Sequence, residues 1–277
     1  MELLDYTAPS DLEGALQALH DSPGARPLAG GHRLILDLKR RTRRIPLLVD
    51  LAKVPGLRGV SRAPGGELRI GSMTTIADLV ADPAVRESHA HALLSDAAET
   101  LPDPQVRNRG TVGGSVVAGT DLAAALIALD AVAEIQGRGG RHRTLTVEHL
   151  LDPGTGPGLA ADEVITSVGV PTGTSIGAYA RQPVPATLSS LCGVAVSVTF
   201  RADGEAGDCR AVVCGDGLPA RRVPDLERAL TAPPGKATAP PLGDVFQSDQ
   251  AASGEYRAHL AWVLARRALA RARERAA

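Results

Sequence analysis

The sequence predicts an α+β protein, and three observations carry that reading. Amphipathic helical segments and short apolar strands alternate through the first half. Two glycine-rich turns, at 29–34 and 110–114, interrupt them. From about residue 174 onward, long apolar strands joined by a short connection predict an antiparallel sheet, and an Ala/Arg-rich helix closes the chain.

The elements follow in order. Pro9-Ser10-Asp11-Leu12-Glu13-Gly14 is a capping signature, and Ala15, Leu16 and Leu19 continue at helical spacing, so 9–20 is expected as a helix. Arg26–Ala29 is expected as a strand running into the first glycine turn. A helix over 33–39 and a buried strand over 47–51 complete a βαβ-like unit. Leu68–Gly71 reads as a strand and Thr74–Leu79 as a helix start capped by threonine. Helices are expected over 89–100 and 121–129, strands and turns over 132–170, and a loop over 154–158. Strands are expected over 178–182, 192–200 and 209–214, then a short helix over 224–230. Residues 232–253, rich in Pro, Gly, Ala and Ser, read as a linker. The helix at 254–275 is expected to bury Tyr256, Leu260, Val263 and Leu264 and to show its arginines to solvent.

Composition sets limits. A chain of 277 residues that is 44% hydrophobic can build one large or two modest domains. The formal net charge is −1, without the basic stripe that nucleic-acid binding needs. No apolar run approaches the ~20 residues of a membrane span. Met1-Glu2-Leu3-Leu4-Asp5 shows no leader pattern, so a cytoplasmic location is expected. Cys192, Cys209 and Cys214 lack paired-ligand spacing. They read as buried strand residues in a reducing compartment, and no metal site is expected.

The chemistry concentrates in the two turns. Glycine lets backbone approach a ligand closely, and successive N–H groups in such turns cradle phosphate oxygens. Two turns of this kind suggest an elongated two-phosphate ligand, meaning a dinucleotide. In the second turn Asn108 offers an amide and Thr111 a hydroxyl, and Arg107 and Arg109 are either charges for phosphate or a solvent-exposed loop edge. Gly113 and Gly114 follow a strand-like Thr111-Val112 and are read as points of ligand approach. His32 is either an ordinary surface residue or a phosphate-facing one. Asp103 is expected to cap a turn.

The ordered set of motifs resembles a known family. Ala29-Gly30-Gly31-His32-x-Leu34, then Ile70-Gly71-Ser72-Met73-Thr74-Thr75, then Asp103 through Gly114 are similar to the FAD-binding medium subunits of molybdenum hydroxylases. That family includes carbon monoxide dehydrogenase medium subunits and xanthine dehydrogenase flavin domains. The likeness continues through 128–131, 163–165 and 193–196 to Glu255-Tyr256-Arg257 and Arg266-Arg267-Ala268-Leu269, in order along almost the whole chain. It implies a PCMH-type FAD-binding fold of two subdomains, 1–55 and 56–173, with a C-terminal sheet-plus-helix domain over 174–277. It implies FAD as cofactor, flavin-dependent electron transfer, and separate molybdopterin and iron–sulfur subunits as partners. Carried over residue by residue, FAD binding falls to Ala29, Gly30, Gly31, His32, Arg33, Leu34, Asn108, Gly110, Thr111, Val112, Gly113, Gly114, Asp121, Ile165 and Arg181. Arg181, Tyr179 and Asp121 are the catalytic candidates.

Two departures keep other readings open. Ser115–Thr120 leads to Asp121 about three residues sooner than in the family, and Arg33 stands where serine is common. A stand-alone biosynthetic tailoring enzyme with altered or lost flavin binding, and a non-catalytic scaffold subunit, remain alternatives at this point.

Overall fold

The computed structural model describes residues 4–277 apart from 87, 89–90, 102, 153, 155, 185–188 and 234–235. The start of the expected helix over 89–100, Thr155 of the expected loop, and 234–235 of the expected linker lie outside the described residues.

The chain begins β1 (Asp5–Thr7), α1 (Leu12–Asp21), β2 (Arg26–Leu28), α2 (His32–Lys39), β3 (Leu47–Asp50), β4 (Val60–Arg62) and β5 (Leu68–Gly71). Helices then dominate: α3 (Ile76–Ala81), α4 (Pro83–Arg86), α5 (Ala92–Glu99), α6 (Pro104–Arg107), α7 (Val112–Ala118) and α8 (Asp121–Ala128). There follow β6 (Val132–Gly137), β7 (Arg141–Thr146), α9 (Val147–Leu151), β8 (Glu163–Val170) and β9 (Ile176–Pro183). The last elements are β10 (Ser190–Phe200), β11 (Ala206–Gly215), β12 (Leu218–Arg222), α10 (Pro224–Leu230) and α11 (Gly254–Ala276). Each of the three sheets draws its strands from one of the stretches 1–55, 56–173 and 174–277. The compact units divide the chain differently, because 80–102 and 119–130 belong with the C-terminal stretch.

The first unit comprises Met1–Leu79, Asp103–Ala118 and Ala131–Val170. Its parallel sheet has the order β1-β3-β2, with Tyr6 opposite Leu48 and Pro27 opposite Val49. Asp11 caps α1 by accepting from Gly14 N–H at 2.7 Å. Ala15, Leu16 and Leu19 then pack with Val49, Leu51, Met73 and Val164 in one core. A second, antiparallel sheet has the order β4-β5-β8-β6-β7. β8 is its centre and is buried along its whole length.

The second unit comprises Val80–Pro102, Gly119–Asp130 and Pro171–Ala277. It is built on an antiparallel meander, β12-β11-β10-β9. Cys192, Val194, Val196 and Val198 of β10 face a core completed by α10 and α11, while α5 and α8 also pack on this sheet. A strand covered on both faces reads as a continuous apolar run, which is why β10 was legible.

Several expectations change. The second glycine turn is largely helical, as α6 and α7; α9 and β12 were not foreseen. On α11 the buried stripe is Arg257, Ala261, Leu264, Ala265, Ala268 and Ala272, and Tyr256 is exposed. Small alanines bring the helix close to the sheet, which a search for large apolar residues overlooks. The expected linker is a packed strap, since Leu242 and Phe246 enter the core of the second unit.

Candidate functional site

The first glycine turn is a strand-to-helix junction. β2 ends at Leu28, Gly31 takes a left-handed conformation (φ 73°) as N-cap, and α2 begins at His32. Ile35 N–H is the first to bond back along the helix, to Gly31 O at 2.9 Å. The N–H groups of His32, Arg33 and Leu34 meet no acceptor among the described residues. Aligned free donors at a helix start favour an anion. The imidazole of His32 and the guanidinium of Arg33 are exposed, and Arg33 Nη1 donates to Ala118 O at 3.3 Å.

The second glycine turn is different in kind. Asp103 caps α6, accepting from Gln105 N–H at 2.7 Å. Gly110 N–H donates to Val106 O, Val112 N–H to Thr74 O, and Gly113 N–H to Ser72 O. Thr111 Oγ1 accepts from Gly114 N–H at 3.2 Å. The backbone N–H groups of Gly110, Val112, Gly113 and Gly114 are thus taken by the protein itself. Gly113 is buried against Ser72, whose own Oγ has no partner. Its lack of a side chain leaves room for Ser72.

The two turns nevertheless meet. A Cβ on Gly30 would overlap the carbonyl oxygen of Arg109. Around this contact lies a cavity of about 240 Å³. Ala29 and Gly30 line it from the first turn, and Asn108, Arg109 and Thr111 from the second. Asp50, Arg58, Met73 and Thr75 also line it; Met73 and Thr75 belong to the second motif of the resemblance, and none of the four was named as a site residue. Asp50 is already engaged, accepting from Tyr6 OH at 2.6 Å and Ala52 N–H at 2.8 Å. The bond to Asp50 raises the Tyr6 phenol above its ordinary pKa. Arg58 and Arg109 have no ion-pair partner among the described residues. Two uncompensated cations beside open helix donors suit a diphosphate.

Other candidates are not among the residues that line this cavity. Val112 and Ile165 are core residues, the latter opposite Ile135 in the sheet. Asp121, Tyr179 and Arg181 are brought together within the second unit. Asp121 Oδ1 accepts from Tyr179 OH and Ser190 Oγ, with Cys214 Sγ at 3.9 Å. Arg181 donates to Thr100 O and to Ser190 Oγ. Burial first, then the neighbouring Cys214 and Asp121, push the Tyr179 phenol far up. The Tyr179 ring is 1% exposed, so it is not available for stacking. Ser115–Ala118, part of the segment that looked like a short loop, is the last turn of α7; left-handed Gly119 (φ 61°) and Thr120 lead into α8.

The model of the FAD binding domain in molybdopterin dehydrogenase matches residues 2–173. The chain is 33% identical to the nicotine 6-hydroxylase medium subunit of Paenarthrobacter nicotinovorans over 280 residues, covering 96% of each. It is 36% identical to the carbon monoxide dehydrogenase medium chain of Hydrogenophaga pseudoflava over 171 residues, 60% of this chain and 58% of that one. A chain in a structure of carbon monoxide dehydrogenase from the same organism superposes with a TM-score of 0.86 at 29% identity, covering 98% of both. The cations that line the cavity, and the free helix donors that follow Gly30 in the chain, fit a dinucleotide diphosphate, and the chain belongs to the FAD-binding subunits of the molybdenum hydroxylases, with FAD as its cofactor.

Proposed function

We propose that the chain is the flavin-carrying relay of a multi-subunit molybdenum hydroxylase, with a molybdopterin subunit and an iron–sulfur subunit as partners. The observation that carries this is the cavity joining the two glycine turns. In this reading the N–H groups of His32, Arg33 and Leu34 hold one phosphate and Arg58 and Arg109 neutralise the pair. Asn108 supplies an amide to the same ligand, and Gly30 permits the backbone approach that lets both turns act on it. When bound, FAD supplies the exchange between two-electron and one-electron carriers, so the chain needs no general base of its own.

Asp121, Tyr179 and Arg181 are assigned to bracing the second unit, because their polar groups bond to one another and to their neighbours. Among the described residues no cluster of His, Cys, Asp and Glu is arranged to hold a metal. Molybdenum and iron–sulfur centres are assigned to partner chains in this reading. A relative similar along 96% of its own length is itself a medium subunit, which favours this over the stand-alone and scaffold readings.

The test compares the isolated chain with the assembled complex. Alone, the chain should take up one equivalent of FAD and leave substrate untouched; in the complex, substrate should bleach the flavin absorbance. Replacing Arg58 and Arg109 together by alanine should raise the FAD dissociation constant about tenfold or more, at ~1.4 kcal/mol per decade. A chain that turns over substrate alone as fast as the complex would overturn the relay reading. Unchanged affinity in the double variant would move the phosphate site elsewhere.

A further inference from the structure

The lining of the cavity between the glycine turns holds two cations, Arg58 and Arg109, and, among the described residues, one acid, Asp50. The path of the chain puts it there. β2 leads through Gly30-Gly31 into α2, and β3 returns parallel to β2. Leu28, the last residue of β2, stands opposite Asp50, the last of β3. Leu51 N–H then donates to Leu28 O at 3.0 Å. Asp50 therefore sits at the carboxyl end of the parallel sheet, beside the turn whose open N–H groups favour a phosphate. It follows the glycine pair by about twenty residues. In dinucleotide-binding βαβ units an acid at this place accepts hydrogen bonds from the ribose next to the diphosphate.

The carboxylate is held in place and only half spent. Oδ2 accepts from Tyr6 OH at 2.6 Å and Oδ1 from Ala52 N–H at 2.8 Å. An ionised carboxyl has about four acceptor sites, so each oxygen keeps one. No cation pairs with it among the described residues. Towards a phosphate this charge is repulsive, whereas towards a hydroxyl it is a charge-assisted acceptor. A neutral, donor-rich part of the ligand must therefore face it. FAD has two such parts, the ribityl chain and the ribose of its adenosine half, and the position at the strand end favours the ribose. We propose that Asp50 recognises the ribose hydroxyls of the adenosine half, with Tyr6 as its positioning residue. This rests on the reading of the cavity given above.

The full-length chain is freed of flavin, and its binding of ADP and of 2′,3′-dideoxy-ADP is measured by calorimetry, with and without FAD as competitor. ADP carries the ribose and the diphosphate without the ribityl chain, and the dideoxy compound lacks both ribose hydroxyls. The wild-type chain should prefer ADP by about tenfold or more, and Asp50→Ala should lose that preference. Both ligands are compared on one protein, so a general loss of stability does not imitate the result. Asp50→Asn keeps an oxygen for Ala52 N–H, so it covers a failure of the alanine variant to fold, and the preference should shrink there too. Tyr6→Phe leaves the charge but frees the carboxylate to turn, and should narrow the preference partway. Equal affinity for both ligands in wild type, or an unchanged preference in the Asp50 variants, overturns the ribose site and leaves the cavity standing. If FAD affinity falls in those variants while the preference persists, Asp50 serves the ribityl chain and the proposal is likewise overturned. Failure of FAD to exclude ADP, or unchanged FAD affinity after Arg58 and Arg109 are replaced, overturns the cavity reading and this site with it.

Discussion

A Cβ placed on Gly113 would stand 2.9 Å from Ser72 Cβ and 3.0 Å from Ser72 O. Backbone on that side cannot turn away as a side chain can. Alanine in place of glycine gains roughly 0.5–1 kcal/mol within a helix, whereas overpacking a buried site costs about 1–3 kcal/mol. The clash wins. Gly113→Ala should therefore lower the melting temperature by several degrees, while the folded fraction binds FAD with nearly unchanged affinity. Gly114 is the control. It is exposed, and its added Cβ would meet only the Thr111 hydroxyl at 2.9 Å, so Gly114→Ala should cost less than Gly113→Ala. Calorimetry with FAD titration separates the outcomes. Lost FAD binding at an unchanged melting temperature would restore a ligand-facing role to Gly113. The same residue shows where sequence reading reaches its limit. A Gly-Gly pair signals a turn or a ligand cradle, and only the fold reveals that Ser72 occupies the space. The first turn was legible because Gly31 and α2 are adjacent in sequence. Arg58 and Asp50 were not, because the chain path alone brings them to the cavity.

α11 is fastened by Arg257, whose side chain is 3% exposed. Its guanidinium donates to Leu191 O at 3.2 Å, Asp216 O at 3.0 Å and Asp249 Oδ2 at 2.5 Å. One side chain thus joins α11, the ends of β10 and β11, and the strap. Arg257→Met keeps most of the volume but strands two carbonyls, and should cost about 2–4 kcal/mol. Asp249 adds a pH dependence. The N–H groups of Ala252 and Ala251, then Arg257, hold its carboxyl below the ordinary value. A lowered folded pKa means the contribution is complete above the unfolded value of about 3.9 and is lost as pH falls through the folded one. Denaturant midpoints should separate wild type from Asp249→Asn at neutral pH, and the gap should close under strong acid. A gap that persists there would show that the carboxylate charge is not what holds the strap. At this scale the elements with clean periodicity, α1, β3, β5, α8, β10 and α10, were readable from sequence. α7 was not, because glycine and valine are weak helix formers. Its helix is imposed by the buried Val112 and Val116 and by the Ser72 and Thr74 carbonyls.

The two compact units carry different reporters. In the proposed reading FAD binds the cavity of the first unit, while Cys192, Cys209, Cys214 and the single tryptophan, Trp262, all lie in the second. All three thiols are free and buried. Burial pushes Cys192 and Cys209 up to about 12, and burial with the nearby Asp121 carries Cys214 well above its ordinary value. Since the thiolate is the reactive form, a thiol of pKa about 12 is only ~10⁻⁴ ionised at pH 8, before its lack of access is counted. Trp262 is 8% exposed and shares its core with Cys192 and Cys209. Opening that core should therefore free the thiols and shift the tryptophan emission together. Native protein at pH 8 should be silent to a thiol reagent over the time in which free cysteine reacts completely. Across a denaturant series, the extent of labelling should follow Trp262 emission with one midpoint, all three cysteines reacting at the end. Flavin release can be followed independently in the same samples, because it reports on the first unit. Rapid labelling of one cysteine in native protein would mean that its strand opens locally, and would contradict the packing of β10 and β11 described here. A thiol midpoint well below that of Trp262 would mean that the sheet of the second unit comes apart before its helical face does.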